Sequence, residues 1–314
     1  MKKAFVFPGQ GSQKIGMGKE IYENFRSARD VFEEVNDSLS QNLSDIIFNG
    51  PQEILTLTAN AQPAIMCVSM AVMNILEKEF KVNTKKHISF FAGHSLGEYT
   101  ALAASKSISV ADTAKILSFR GKNMQKASSS KKTSMAAFMG ADLVKVEHII
   151  SKAVKENDIC DIANYNTDTQ IVLSGDDDAI SRAMNLANEI KVRSVKLDVS
   201  APFHSKYMID TANALKVEFQ KLIFKMPEIQ IISNFNALPF KNPKDIEAGL
   251  IKQTYSTVKW YESIKYMQSL STNAFFEIGF GLTLCGIIKR IDRNLKTASI
   301  LNSDEIEALA KEIL

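Results

Sequence analysis

The residues best suited to chemistry lie in the segment Gly93-His94-Ser95-Leu96-Gly97, which has the Gly-x-Ser-x-Gly pattern of a nucleophile elbow. A short apolar run precedes this segment and a helix-favouring run follows it, so the sequence predicts a strand, a sharp turn that carries Ser95, and a helix. The glycine at each end provides the small neighbour that a strained serine requires. The helix start directs free N–H groups and its positive dipole end at the serine, which suits an oxyanion. Ser95 is therefore predicted to be a nucleophile; the alternative is a chance turn.

His204 is the best candidate for a general base that activates Ser95. Of the four histidines, His87 and His148 stand in polar segments and are expected at the surface. His94 is adjacent to Ser95, but neighbouring residues in such a turn point in different directions. His204 lies in a loop that leads into a predicted helix. The alternative role for His204 is a loop histidine that only satisfies local hydrogen bonds.

Two further segments leave alternatives open. The turn Pro8-Gly9-Gln10-Gly11-Ser12-Gln13 lacks the third glycine of GxGxxG and has no GK[ST], so it is not predicted to bind phosphate. It is either a loop that presents a backbone N–H to an active site or an ordinary strand–helix turn. Arg120 interrupts the apolar face of a predicted helix and is either a surface cation or a buried ligand-binding cation. The residue pattern alone favours the surface position.

The elements that must position these residues alternate between strands and helices, which predicts an α/β fold with a mostly parallel sheet covered on both faces. Apolar runs without alternation at 4–7, 88–92 and 274–278 are typical of strands buried on both faces. A strand at 228–233 and a last short strand at 299–301 complete the predicted sheet. The main predicted helices span 19–35, 36–48, 64–80, 110–127, 258–271 and 282–290, with another inside 243–255 and a final one capped by Ser303.

A linker-like run, 128–132, separates this pattern from a different one. The order strand, helix, strand, strand, helix, strand follows, which is the split βαββαβ unit of ferredoxin-like folds. The predicted elements are 133–139, 143–156, 159–164, 170–173, 177–190 and 192–197. We therefore expect a small inserted subdomain at 128–197 and a catalytic core formed by 1–127 and 198–314.

The composition of the 314 residues bounds the class of protein. A hydrophobic content of 45%, a charged content of 23% and a net charge of +3 are ordinary for a soluble globular protein and do not suggest nucleic-acid binding. The three cysteines, Cys67, Cys160 and Cys285, lie far apart without metal-ligand spacing, which indicates reduced residues in a cytoplasmic protein. The apolar run near the N-terminus ends at Pro8, too early for a signal peptide, and we expect no membrane span and no metal site.

Several segments together resemble the malonyl-CoA:acyl carrier protein transacylases, over essentially the whole chain and in the family's order. The resemblance implies an α/β-hydrolase-like core with an inserted ferredoxin-like subdomain, which agrees with the element pattern. The segments are Phe7-Pro8-Gly9-Gln10-Gly11-Ser12-Gln13, Ala61-Gln62-Pro63-Ala64, Gly93-His94-Ser95-Leu96-Gly97-Glu98-Tyr99, Arg120-Gly121-Lys122-Asn123-Met124-Gln125, Val199-Ser200-Ala201-Pro202-Phe203-His204-Ser205 and Phe276-Glu277-Ile278-Gly279.

The resemblance implies transfer of a malonyl group from malonyl-CoA to the phosphopantetheine thiol of acyl carrier protein, in support of fatty acid biosynthesis. Ser95 would form a malonyl-serine ester, and His204 would take the serine proton and return it to the leaving thiol. A main-chain carbonyl near Gln253 would orient the imidazole in place of an acidic third residue. One site that accepts two thiols in turn predicts ping-pong kinetics.

The same resemblance assigns the remaining site residues. The backbone N–H groups of Gln10 and Leu96 would form the oxyanion hole. Arg120 would hold the free malonyl carboxylate with its planar fork, which reverses the preference for a surface position. Gln253 would line the pocket. The implied partners are malonyl-CoA and acyl carrier protein, with no resident cofactor, and a monomer is expected; the rival interpretation is a serine esterase or thioesterase with the same elbow.

Overall fold

Strand β1 occupies the centre of a five-stranded parallel sheet in the computed structural model, which describes residues 2–127, 132–199 and 201–314. The strand order is β7-β2-β1-β8-β9, and every pairing is parallel. An all-parallel sheet must be covered on both faces, which explains the continuous apolar runs in its strands. The strands are β1 (Lys2–Phe7), β2 (Phe90–Gly93), β7 (Gln230–Ile232), β8 (Thr272–Ile278) and β9 (Lys296–Ile300).

Helices cover both faces of this sheet. Alternate residues of β1 supply the two sides: Phe5 and Phe7 belong to the larger apolar cluster, while Ala4 and Val6 belong to the smaller one. The helices of the core are α1 (Lys19–Asn24), α2 (Arg26–Leu39), α3 (Leu43–Asn49), α4 (Gln52–Thr56), α5 (Thr58–Lys78), α6 (Thr84–His87), α7 (Leu96–Ala104), α8 (Val110–Lys126), α11 (Ile209–Phe219), α12 (Pro243–Tyr255), α13 (Trp260–Ser269), α14 (Thr283–Ile291) and α15 (Ser303–Ile313).

The second sheet is antiparallel and takes all its strands from the predicted insert. Its order is β4-β5-β3-β6, with two helices against one face. The predicted fold class, a parallel α/β core with a βαββαβ insert, is confirmed. The boundaries at 127 and 198 stay a prediction, and 128–131 of the expected linker lie outside the described residues. The elements are β3 (Thr133–Met139), α9 (Leu143–Ala153), β4 (Cys160–Thr167), β5 (Gln170–Asp176), α10 (Asp177–Glu189) and β6 (Arg193–Lys196).

Some helix boundaries differ from the prediction. The region predicted as helices 19–35 and 36–48 contains three helices, because Phe25 is extended and separates α1 from α2. The ring of Phe25 packs near that of Phe80, a tertiary contact that local periodicity does not reveal. The last helix is capped by the side chain of Asn302 rather than by Ser303.

Helix α5 begins at Thr58 and contains Pro63, whereas the sequence predicted a start at 64. Pro63 has no N–H to offer the carbonyl one turn before it. The apolar neighbours of Pro63, which are Ala61, Ala64 and Ile65, are buried, and this packing stabilises the helix across the proline. By length and composition α5 is apolar enough to cross a membrane, which the sequence interpretation did not anticipate, but its apolar window is 83% buried inside the protein.

The carboxyl ends of β1 and β2 bring the two candidate loops together. The register pairs Phe7 with Gly93, so the turn after β1 and the elbow after β2 start side by side. Strand order reverses around β1, with β2 on one side and β8 on the other. Crevices at such reversal points are where open α/β sheets place ligands.

Gly121 allows α8 to cross close to the start of α5. A Cβ atom at Gly121 would lie 2.4 Å from the carbonyl oxygen of Thr58, which is shorter than any van der Waals contact. The close crossing places the neighbouring Arg120 between the two helices, where the guanidinium reaches Gln62 on α5. Gly286, on α14, is the opposite case, because a Cβ there meets no atom within 4 Å.

These two helical glycines give opposite expectations for the same substitution. Gly121→Ala is expected to lower the free energy of unfolding by about 2 kcal/mol or more, because the added methyl forces the helices apart. Gly286→Ala is expected to raise it by about 0.5–1 kcal/mol through helix propensity alone. Urea unfolding followed by circular dichroism measures both, and equal effects at the two positions would contradict the close-crossing interpretation.

Candidate active site

Ser95 occupies a strained turn between β2 and α7, with φ +55° and ψ −106°. Helix α7 starts immediately after it, at Leu96. This tight turn requires Gly97, because a Cβ there would lie 2.2 Å from the carbonyl oxygen of Phe7. Although Ser95 is the N-cap residue of α7, its hydroxyl makes no capping hydrogen bond and is free to face the cavity.

The structure brings Ser95 and His204 together although 109 positions separate them. Ser95 Oγ lies 2.8 Å from His204 Nε2, and His204 Nδ1 lies 2.8 Å from the main-chain oxygen of Gln253. A carbonyl oxygen only accepts, so Nδ1 carries the proton and Nε2 presents a lone pair to the hydroxyl. Burial, followed by the nearby charge of Arg120, lowers the pKa of His204 to about 3, so the imidazole is neutral.

Arg120 is buried beside the serine, with 1% of its surface exposed, so the surface position favoured by the residue pattern is wrong. Its Nη1 donates to Gln62 Oε1 at 2.9 Å, and its Nη2 donates to Gln253 Oε1 at 3.0 Å and to Ser95 Oγ at 3.1 Å. The guanidinium carbon lies 5.3 Å from the ring centre of Tyr99. Among the described residues no carboxylate forms a salt bridge with Arg120. A buried cation held by neutral amides is poised to bind an anion.

The expected oxyanion donors lie at the adjacent loop ends. Leu96 is the first residue of α7, and Gln10 follows β1 and lines the cavity that contains Ser95. Within the part of the chain that the structure describes, neither backbone N–H has a hydrogen-bond acceptor. Gly9 allows this approach, because a Cβ there would lie 2.9 Å from the main-chain oxygen of His94.

Gln253 has more contacts in this site than the sequence suggested. Its main-chain oxygen faces His204, its Oε1 accepts from Arg120, and its Nε2 donates to the main-chain oxygen of Ser95 at 2.8 Å. The same Nε2 donates to Glu98 Oε2 at 2.9 Å. One side chain therefore connects the nucleophile, the base and the cation.

Sequence reasoning missed two buried polar residues around the elbow, Glu98 and Asn234, and gave Gln62 no role. Asn234 Oδ1 accepts the N–H of Ser95 at 2.8 Å. Burial raises the pKa of Glu98 to about 7, although hydrogen bonds from Gln253 and from the Asn234 backbone oppose that shift. The available signals were a Ser-x-x-Glu spacing at the helix start and an asparagine directly after a predicted strand.

His94 points away from the serine hydroxyl. Its Nε2 lies 3.0 Å from Asn166 Oδ1 on β4, and its ring lies 5.6 Å from that of Trp260. This bond crosses from the parallel sheet to the antiparallel one. The geometry agrees with the expectation that His94 is a poor base for Ser95.

The site opens into a cavity of about 500 Å³ between the two sheets. Apolar side chains from both sides form part of its wall, including Met124, Met135 and Phe203. A nucleophile bonded to a neutral base, with two free N–H groups and a buried cation nearby, suits acyl transfer of a group that carries a negative charge.

Comparisons with known proteins agree with this chemistry. The family model described as acyl transferase domain matches residues 4–303. The malonyl CoA-acyl carrier protein transacylase of Bacillus subtilis (strain 168) is 39% identical over 307 residues, which covers 98% of this chain and 95% of that protein. The corresponding protein of Escherichia coli (strain K12) is 33% identical and covers 99% of both chains.

Solved structures match equally closely. The acyl-carrier-protein-S-malonyltransferase from Bartonella henselae superposes with a TM-score of 0.96 at 45% identity, covering 100% of this chain and 99% of that one. A malonyl-transacylase solved in complex with its type II PKS acyl-carrier protein superposes with a TM-score of 0.94 at 28% identity, covering 99% of this chain and 100% of that one. The chain therefore belongs to the acyl transferase family, among the malonyl CoA-acyl carrier protein transacylases.

Proposed function

We propose that this protein transfers a malonyl group from malonyl-CoA to the phosphopantetheine thiol of acyl carrier protein, through a malonyl ester on Ser95. The observation that carries the proposal is the contact of the buried Arg120 guanidinium with Ser95 Oγ at 3.1 Å. A cation this close to a nucleophile selects an acyl group whose far end is anionic. An esterase pocket for neutral acyl groups gains nothing from a buried charge, which costs several kcal/mol to desolvate.

In the first half-reaction, Ser95 Oγ attacks the thioester carbonyl of malonyl-CoA. His204 Nε2, 2.8 Å away, accepts the hydroxyl proton. The main-chain oxygen of Gln253 accepts from Nδ1–H and stabilises the imidazolium as it forms. The N–H groups of Gln10 and Leu96 stabilise the oxyanion. The C–S bond then breaks, and His204 returns the proton to the coenzyme A thiolate.

The second half-reaction runs the same steps in reverse order with a different thiol. His204 takes a proton from the phosphopantetheine thiol, whose sulfur attacks the malonyl-serine carbonyl. The bond between Ser95 Oγ and the acyl carbon then breaks, and His204 returns the proton to Oγ. The overall exchange of one thioester for another is close to balanced, so a single covalent intermediate serves both directions. The cavity holds the two thiols in turn, which requires ping-pong kinetics.

Other features of the proposal follow from the same chemistry. Coenzyme A and phosphopantetheine enter as substrates, so the reaction uses no resident cofactor. The three cysteines are free and buried, which supports a cytoplasmic location where thiols stay reduced. Burial raises the pKa of the Cys67 thiol and also that of the Cys285 thiol, so neither competes with Ser95 as a nucleophile. We also propose a monomer, because Ser95, His204 and Arg120 complete the site within a single copy and the chemistry needs no residue from a second one.

The covalent intermediate is tested by intact mass after mixing with malonyl-CoA. The wild type is expected to gain one malonyl group, and Ser95→Ala is expected to gain none because it lacks the attacking oxygen. Ser151→Ala, which removes a serine on the surface of α9, serves as the matched control and keeps the adduct. Addition of acyl carrier protein should discharge the adduct within one turnover. Discharge at the same rate by water alone would identify a hydrolase and overturn the proposal.

Substitution of Arg120 tests acyl selectivity. Arg120→Ala is expected to lower kcat/KM for malonyl-CoA by about 10- to 100-fold, the effect of losing charge-assisted hydrogen bonds of about 1.5–3 kcal/mol. Acetyl-CoA, which has no carboxylate, should be affected much less, and Arg120→Lys should fall between because it keeps the charge but loses the planar fork. Exposed Arg293 supplies the control variant Arg293→Ala. An equal loss for both substrates would contradict the carboxylate-binding role.

The pH dependence of acylation tests the neutral base. Because burial and Arg120 lower the pKa of His204 to about 3, the base form persists above that pH and is lost only below it. Acylation measured under kcat/KM conditions should therefore show no loss from His204 protonation near its ordinary pKa of about 6.5. Glu98 titrates near that range, so the profile is compared with Glu98→Gln. A fall in the acylation rate that is centred at about pH 6.5 and persists in Glu98→Gln would contradict the prediction.

A further inference from the structure

The start of α7 carries a helix-capping pattern that the structure does not use. Ser95 and Glu98 have the Ser-x-x-Glu spacing of a capping box, in which the serine oxygen accepts from the third helical N–H and the glutamate accepts from the serine N–H. Here the N–H of Glu98 donates to the main-chain oxygen of Ser95 instead, at 3.1 Å. The serine hydroxyl faces His204 and Arg120. A hydroxyl that caps the helix is engaged in a hydrogen bond with a helical N–H. Ser95 can therefore act as a nucleophile only if the capping box does not form.

Asn234 takes the bond that the glutamate would otherwise make. Its Oδ1 accepts the N–H of Ser95 at 2.8 Å, and its Nδ2 donates to the main-chain oxygen of Gly93 at 2.7 Å. One amide therefore bridges the main chain on both sides of His94, in the sharpest part of the turn. Asn234 is 0% exposed, so these bonds form without competition from water.

Glu98 is turned away from the serine by the same residue. The backbone N–H of Asn234 donates to Glu98 Oε2 at 3.2 Å, and Gln253 Nε2 donates to the same oxygen at 2.9 Å. Asn234 is fixed in turn from the far side, because its main-chain oxygen accepts from the N–H of Lys259 at 2.9 Å. The arrangement directs the carboxylate of Glu98 behind the elbow, where it cannot reach the N–H of Ser95.

We propose that Asn234 is a positioning residue that holds the Ser95 turn in its nucleophilic geometry and prevents the capping box from closing. The proposal rests on the function proposed above, because its effect is read as the rate of malonyl-serine formation. Only a group that accepts from one N–H and donates to one carbonyl can bridge this turn, and the asparagine amide does both. Among the described residues that line the cavity around Ser95, Asn234 is not included, and its side chain acts through the main chain of the elbow.

Substitution of Asn234 by aspartate gives a sharp test, because a carboxyl group can imitate the amide only when it is protonated. In Asn234→Asp an ionised side chain still accepts from Ser95 N–H but repels the main-chain oxygen of Gly93. A protonated side chain restores the donor. Among the described residues, the charged and titratable groups around this site are Glu98 and Tyr99 from α7, Arg120 from α8, Lys259 just before α13, and His94 and His204 from their loops.

The experiment measures single-turnover malonylation by malonyl-CoA, with folding followed by circular dichroism at each pH. Asn234→Ala is expected to lower the maximal acylation rate by about 10- to 100-fold, the cost of a nucleophile displaced by about 1 Å. The apparent Kd for malonyl-CoA should change less than about 2-fold, since Arg120 is untouched. Asn236→Ala is the matched control, because Asn236 is exposed in the same loop and its side chain accepts from the N–H of Leu238 rather than from the elbow.

The Asp variant is compared with the wild type from about pH 8 to about pH 6, and the ratio of variant to wild-type rate should rise as the pH falls. A ratio that stays flat, or one that only follows the folded fraction, overturns the proposal, as does a wild-type rate in Asn234→Ala. If Asn234→Ala does not fold, the pH dependence of Asn234→Asp is the test of the proposal. If neither variant folds at any pH, Asn234 is required for folding and the proposal fails. Absence of an adduct on the wild type would instead refute the proposed function itself.

Discussion

A buried positive charge that no described carboxylate pairs in a salt bridge is the constraint on which the rest of the site depends. Arg120 is 1% exposed and is held by two glutamine side chains and by the face of Tyr99. Burial of such a charge costs several kcal/mol even with good hydrogen bonds. The fold supports it through the close crossing of α5 and α8 at Gly121, which brings Gln62 within reach of the guanidinium. A carboxylate that enters the cavity forms an ion pair with Arg120. The site therefore favours acyl groups that carry a carboxylate, because the fold itself leaves this charge without a salt bridge.

The same charge connects substrate recognition to the base. Burial and Arg120 lower the pKa of His204, so the imidazole is neutral before substrate arrives. A malonyl carboxylate bound to Arg120 would neutralise part of that charge and raise the pKa of His204, although burial, the larger cause, would still hold this pKa below its ordinary value. Nε2 then becomes a stronger base at the moment when a suitable acyl group lies beside Ser95. An acetyl group brings no such charge, so it receives less binding energy and also meets a weaker base.

The sequence predicted the parts of this protein that depend on local pattern. Continuous apolar runs gave the central strands, since a strand buried on both faces needs no alternation, and Gly-x-Ser-x-Gly gave the elbow because its steric demand is local. The burial of Arg120 could not be read from the residue pattern, since a cation on an apolar helix face looks the same whether it reaches water or a pocket. The family resemblance supplied the pocket position. The break at Phe25 was missed because a tertiary contact with Phe80 accompanies it.

Asn234 and the side-chain contacts of Gln253, which was itself predicted to line the pocket, were missed for a different reason. Asn234 and Gln253 contact Ser95 across separations of 139 and 158 positions, and no local spacing records such bonds. Their importance follows from the strain at Ser95. A residue at φ +55° persists only when its surroundings fix it, and here both main-chain polar groups of Ser95 are held by side chains from other elements. The elbow motif therefore predicts where a nucleophile can sit, but residues from elsewhere in the fold determine that the hydroxyl is free to react.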